Sequence, residues 1–194
     1  TVFVLEDAEF EGNLVAGICK LTETRVEIEA GIMKPFLRGK DIRRYQPPSA
    51  TSALICPYVI RDNSFNLMPE TELASDFPLA YRYLRSHKST LEARERGKFK
   101  GPNWYAFGYP KSMTLFKRQK IIVPDFNNVA SFTLDEYSHF YKTGYGILLG
   151  QGVTESALYV LGLINSPLLF RYLTRVGTML RGGYVRFWTQ YIEQ

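Results

Sequence analysis

Five cations, Lys34, Arg38, Lys40, Arg43 and Arg44, stand against a single acid, Asp41, in the stretch KPFLRGKDIRRY. Lysine and arginine neutralise phosphates and release counterions, and arginine also forks onto guanine edges, so this density of positive charge suits a nucleic acid. Three further basic clusters follow, Arg85 to Lys100, KSMTLFKRQK (111–120) and Arg171 to Arg186, and each of the four carries a net charge of +4. Between them lie NWYAFGY (103–109) and RGGYVRFW (181–188). Their glycines let a loop approach a groove closely, and their aromatic rings could stack on bases. The plainer alternative is a solvated basic surface with Trp104, Tyr105 and Phe107 in the core.

The residues that catalysis would need do not assemble. There is no Gly-x-x-x-x-Gly-Lys-Ser/Thr phosphate loop, and GYGILLGQG fails the dinucleotide pattern because Leu149 stands where the third glycine belongs. His87 and His139 read as a solvated helix residue and a loop residue, with no triad around them. PDF at 124–126 resembles the start of a metal-dependent nuclease motif, but no Glu-x-Lys follows within the next two dozen residues. An Asn-Pro-Pro-Tyr tetrapeptide, which adenine methyltransferases use to hold the amino group, is missing, and QPPS (46–49) reads as a loop. Cys19 and Cys56 lack the neighbours of a zinc site and read as buried thiols of a reducing cytoplasm. No catalytic residue and no metal ligand is assigned.

Composition bounds the rest. Of 194 residues, 45% are hydrophobic and 22% charged, ordinary for a globular chain, and one compact domain over 1–194 is expected. Net charge is +5, but residues 1–30 hold seven acids and two bases, which leaves +10 for the remainder. A basic body with an acidic leader predicts a polyanion partner for the body. No apolar run reaches the roughly 20 residues of a membrane span, so no membrane partner is expected. The N-terminus has no signal-peptide pattern, which with the thiols predicts a cytoplasmic location. The missing initiator Met reads as the mark of a fragment cut from something longer.

The elements that must position the clusters are strands first. TRVEIEAG alternates apolar and charged residues with period two, and ALICPYVI (53–60), KIIVP (120–124), NVASF (128–132) and YGILL (145–149) are short β-rich runs between turn formers. Pro57 belongs at an edge or bulge. One helix is predicted from Asp76, with Pro78 at its first position, Phe77, Ala80, Leu84 and Leu91 at helical spacing, and Gly97 as its stop. A second helical region starts at Glu155 with Leu158, Leu161 and Leu163 buried. It breaks at NSP and restarts with Ser166 as N-cap and Pro167 as first helical residue. Strands and helices do not alternate regularly, so the expected class is α+β, a mixed or antiparallel sheet core with a few helices.

KPFLRGKDIRRY, PLAYRYL leading into LEAR, WYAFGYP, KIIVPDF, LYVLGLINSPLLFRYL and RGGYVRF occur in an order that resembles the TaqI-like C-terminal specificity domain, over roughly residues 1–194 and weakest before residue 24. The resemblance implies a target-recognition domain of a type IIG restriction-modification enzyme or an adenine-specific DNA methyltransferase. Its partners would be double-stranded DNA and an upstream methyltransferase domain of the same polypeptide. It implies no cofactor in this segment, S-adenosylmethionine in the parent, and Mg2+ where a nuclease is joined. Arg38, Lys40, Arg43 and Arg44 resemble the family's first basic loop, and Arg181 to Arg186 its late glycine-rich loop. With Lys111, Lys117 and Arg118 from the third cluster, these form the expected DNA-binding set. Asn165 in GLINSPLLFRYL is expected as a structural cap. The alternative is a free-standing specificity subunit, or an interaction domain, that assembles with separate catalytic chains.

Overall fold

The structure is a computed structural model, described over residues 1–62 and 64–187. The chain expected as one compact domain divides into two compact units, residues 1–36 with 51–116, and residues 37–50 with the described part of 117–194. The class is α+β.

In the first unit, β1 (Val4–Glu11), β2 (Leu14–Cys19), β3 (Thr24–Glu29), β4 (Met33–Leu37) and β5 (Ser52–Ile55) lie side by side in the order β4-β5-β1-β2-β3. Every neighbouring pair is antiparallel. The acidic leader is therefore folded, and its alternation places Ile28 inward while Arg25 and Glu27 face water. A hairpin of β6 (Tyr58–Arg61) and β7 (Ser64–Leu67) follows. The run expected as one strand over 53–60 is split at Cys56 and Pro57, because proline has no amide to continue the ladder.

The helix expected from Asp76 is segmented. It is preceded by α1 (Glu70–Asp76), which sequence reading missed, and comprises α2 (Pro78–Ser86) and α3 (Lys88–Glu92). A four-residue turn, α4 (Arg94–Gly97), follows with Glu95 and Arg96 in left-handed conformation. Pro78 opens α2 as predicted. The Glu29 carboxylate accepts from the amides of Leu79 and Ala80 at 2.6 and 2.9 Å, which satisfies orphan donors and complements the helix dipole. Arg94 closes the far end by donating to the carbonyls of Leu91, Trp104 and Ala106. Trp104 and Tyr105 are buried and Phe107 is half-buried, so these rings of the aromatic stretch belong to the core, whereas Tyr109 is exposed.

The second unit is built on β8 (Lys120–Val123), buried along its length between β10 (Thr133–Asp135) and β12 (Tyr145–Ile147), both antiparallel to it. Other elements are β9 (Phe126–Asn127), β11 (Phe140–Tyr141), α5 (Ala157–Ile164), α6 (Pro167–Val176), β13 (Thr178–Met179) and β14 (Val185–Arg186). Strands β13, β14 and β9 make a second small antiparallel sheet. The core gathers Ile121, Val123, Phe132, Leu161, Leu173, Val185 and Phe187. Ser156 and Ser166 cap α5 and α6 by accepting from the amides of Tyr159 and Leu169.

Two expectations fail in this unit. NVASF forms no strand; Asn128 to Ser131 are irregular, with Ala130, Ser131 and Phe132 buried. Of the three leucines expected inside on α5 only Leu161 is buried, and Leu158 and Leu163 are 67% and 47% exposed. An eight-residue helix without a charged residue gives hydrophobic periodicity no polar face from which to set its phase. Among the described residues no single helix is long and apolar enough to cross a membrane. Helices α5 and α6 reach that length only together, across a 61° bend.

Candidate nucleic-acid interface

The two units differ in charge. Residues 37–50 and 117–194 hold twelve Lys and Arg against six Asp and Glu, a net of +6, whereas the first unit nets −1. Eight of the nine cations expected to bind DNA belong to the second unit; Lys111 belongs to the first. The second basic cluster sits wholly in the first unit, and part of it is committed elsewhere. Arg94 is structural, while Lys88 and Lys98 face Glu92 and Glu95 at 3.9 and 3.6 Å.

Residues 37–46 form a pinned turn. Leu37 and Ile42 are buried against Ile122, which fixes both ends of the Arg38 to Asp41 segment. Within it the Asp41 carboxylate accepts from the Arg38 amide at 2.8 Å and closes a one-turn 3₁₀ helix over Gly39–Asp41. Asp41 therefore serves its own backbone rather than Arg43 or Arg44. Arg44 donates to the Asn165 carbonyl at 2.7 Å, and its guanidinium lies 5.0 Å from the centre of the Tyr45 ring. Tyr45 donates its amide to the Phe132 carbonyl at 3.4 Å, and the Thr133 hydroxyl donates to the Gln46 carbonyl. Lys40 and Arg43 are left exposed, with no ion pair or side-chain hydrogen bond among the described residues.

The anchor of this turn is Asn165, which is fully buried at the C-terminal end of α5. Its side-chain amide donates to the Phe132 carbonyl at 2.9 Å and accepts from the Phe132 amide at 3.0 Å. Asn165 is the C-cap of α5 as expected, its amide donating to the Leu161 carbonyl, and its side chain in addition imitates a ladder partner for the backbone of Phe132. The Phe132 ring stands edge-on to Phe187, 5.4 Å away, directly after β14.

Strand β14 carries the second candidate patch. The turn over Arg181–Gly183 places Gly182 and Gly183 both at φ of +78°, a conformation two consecutive side-chain-bearing residues would resist. It closes with the Leu180 amide on the Tyr184 carbonyl at 2.7 Å. Arg181 projects from it exposed and unpaired among the described residues. Arg186 differs: it pairs with Asp125 at 3.1 Å and is half-buried. Phe126 and Tyr184 pack edge to face at 5.9 Å and are 49% and 38% exposed. Trp188 of the same stretch lies outside the described residues.

The third cluster separates by burial. Lys111, Lys117 and Arg118 are exposed, but Lys120 is buried and joined to buried Asp135 at 2.5 Å. The other Asp135 oxygen meets His139 Nδ1 at 2.8 Å, and the amides of Tyr137 and His139 also donate to this carboxylate. Burial pushes the Asp135 pKa up, but the hydrogen bonds from His139 and Lys120, the Tyr137 amide and the Lys120 charge outweigh it, leaving the group below the usual carboxylate range. His139, read from sequence as a loop residue with no triad around it, does lie in a loop, and it is part of this buried network. The signal was present as Asp135 four residues upstream, but Lys120 comes from another strand. No group of three His, Cys, Asp or Glu side chains suited to a metal exists among the described residues.

The basic second unit thus presents exposed cations, Lys40, Arg43 and Arg181, unpaired among the described residues, from two turns, an arrangement suited to a polyanion. Residues 34–194 match the TaqI-like C-terminal specificity domain, and the chain belongs to that family. Membership in a specificity-domain family points to DNA target recognition within restriction-modification systems. The match begins at Lys34, the first residue of the opening basic stretch, and leaves β1 to β3 outside it.

Proposed function

We propose that the chain is the target-recognition domain of a restriction-modification enzyme or adenine-specific DNA methyltransferase and binds double-stranded DNA in a sequence-specific way. The observation that carries this reading is the pairing of the family match with the second unit's excess charge, displayed on turns that the core holds rigid. Phosphate contacts set the register of a protein on a duplex, and a few side chains at base edges supply the sequence information. Lys40, Arg43, Lys117 and Arg118, exposed and uncommitted, suit the phosphate role. Arg38 sits half-buried beside them, and Arg44 contributes charge while bracing its own turn. Arg181, on a glycine turn that allows close approach, suits base readout. Arg186, held by Asp125, positions that strand.

In this reading methyl transfer belongs to a methyltransferase domain upstream on the same polypeptide, which would bind S-adenosylmethionine. A nuclease domain, where joined, would use Mg2+. This domain's part is to hold the duplex so that the target base can leave the stack and enter that catalytic pocket. Methylation profiling of DNA from cells that express the full-length protein tests the reading. It predicts one modified sequence motif that is lost when Arg181 is replaced; an unmodified genome together with no duplex binding by the purified protein would overturn it.

A further inference from the structure

Tyr45 is held in an unusual state. Its φ is +59°, in the left-handed region that bulky L-residues rarely adopt, and it is the only aromatic residue among the non-glycine residues described with positive φ. The other seven are aspartate, glutamate, serine or arginine. Burial does not compensate for this conformation, because Tyr45 is 53% exposed. The Arg44 guanidinium lies 5.0 Å from the centre of its ring. The strain persists because the surroundings fix the backbone on both sides. The Tyr45 amide is tied to Phe132, the Gln46 amide to Arg43 at 3.2 Å, the Gln46 carbonyl to Thr133 and the Arg44 side chain to Asn165. Asparagine or glycine would fit this turn with less strain. The sequence instead places a large flat ring there, leaves it half exposed and precedes it with Arg43 and Arg44.

From this we infer that Tyr45 is a base-contacting residue: its ring stacks on the face of a nucleobase where the bound duplex is opened, while the adjacent arginines hold phosphates. The inference rests on the DNA-binding reading above and adds a contact that charge alone does not supply. Every base has a π-face, and stacking on an aromatic side chain contributes affinity without a charge of its own. Base displacement or a kinked step exposes such a face. A rigid turn suits this task because the ring need not lose freedom on binding.

The test uses the full-length protein and the duplex that the wild type enriches from a random-sequence pool. Three forms are compared, wild type, Tyr45→Asn and Tyr45→Phe, by binding affinity at several salt concentrations and by thermal melting. Tyr45→Asn should bind that duplex about 5- to 150-fold more weakly, the range for loss of one base–aromatic stack. The loss should be the same at every salt concentration, and melting temperature should hold or rise. Tyr45→Phe, which keeps the ring, should bind within about twofold of wild type. The inference fails if Tyr45→Asn binds like wild type, if Tyr45→Phe loses as much as Tyr45→Asn, or if lost binding follows a lowered melting temperature. If the wild type enriches no duplex at all, the DNA-binding reading fails and takes this contact with it.

Discussion

The side chain of Asn165 and the main chain of Phe132 exchange two buried hydrogen bonds, at 2.9 and 3.0 Å, across 33 residues of sequence. Phe132 then passes the restraint on, because its carbonyl also receives the Tyr45 amide and its ring meets Phe187 beside β14. One amide side chain therefore anchors the residue that holds the turn at Tyr45 and whose ring packs at the end of β14. Replacing Asn165 with leucine removes both bonds and leaves the buried Phe132 N–H unpaired, while the Phe132 carbonyl keeps the Tyr45 amide as its remaining donor. An unpaired buried donor costs about 1–3 kcal/mol. Urea unfolding of Asn165→Leu should show a loss of roughly 1–3 kcal/mol, and Asn165→Ala should behave similarly. Unchanged stability in both variants would mean that the cross-link is dispensable.

Asp135 neutralises Lys120 inside the second unit and holds His139. Asp135→Asn removes the carboxylate charge from beside the buried Lys120 ammonium, and removing one partner of a buried pair costs about 3–5 kcal/mol. The wild-type carboxylate, whose folded pKa is depressed, contributes stability that is fully present above the unfolded value of about 3.9. That contribution is lost as pH falls through the lower folded value. Melting temperatures measured from pH 7 down to pH 2 should therefore converge for wild type and Asp135→Asn at the acid end. A constant gap would contradict the assignment.

Ser166 accepts from the Leu169 amide at 3.2 Å, with Pro167 at the first helical position of α6. Ser166→Ala should lower stability by about 1 kcal/mol, as losing an N-cap does, while Ser166→Asp should restore it. Chemical denaturation of the two variants checks both directions.

What the sequence made legible was local. The Ser166 cap, Pro167 and Pro78 at helix starts, and the strands around Ile28 and Ile121 each follow from a few neighbouring residues. What it concealed depends on distant partners. Asn128 to Ser131 look strand-like, yet the neighbouring backbone at Phe132 is satisfied by an asparagine from the end of α5. Charge counting put Lys120 into the third basic cluster and set Arg186 beside Arg43 in the expected DNA-binding set. Only the fold reveals that Asp135 engages Lys120 and Asp125 engages Arg186. Nothing in the sequence marks Tyr45, because a positive φ in a non-glycine residue leaves no trace in composition or spacing.

The most direct test of DNA recognition by the second unit is the salt dependence of duplex binding by full-length wild type, Arg43→Ala and Arg181→Ala. It should be measured on the enriched duplex and on a scrambled one from 50 to 200 mM salt. Arg43→Ala should weaken both duplexes alike and reduce the slope of log affinity against log salt by about one, the loss of one phosphate contact. Arg181→Ala should weaken the enriched duplex selectively, by roughly 1–3 kcal/mol if a bidentate guanine contact is lost. A lowered melting temperature for Arg43→Ala with an unchanged salt slope, and equal affinities of the wild type for the two duplexes, would contradict the account.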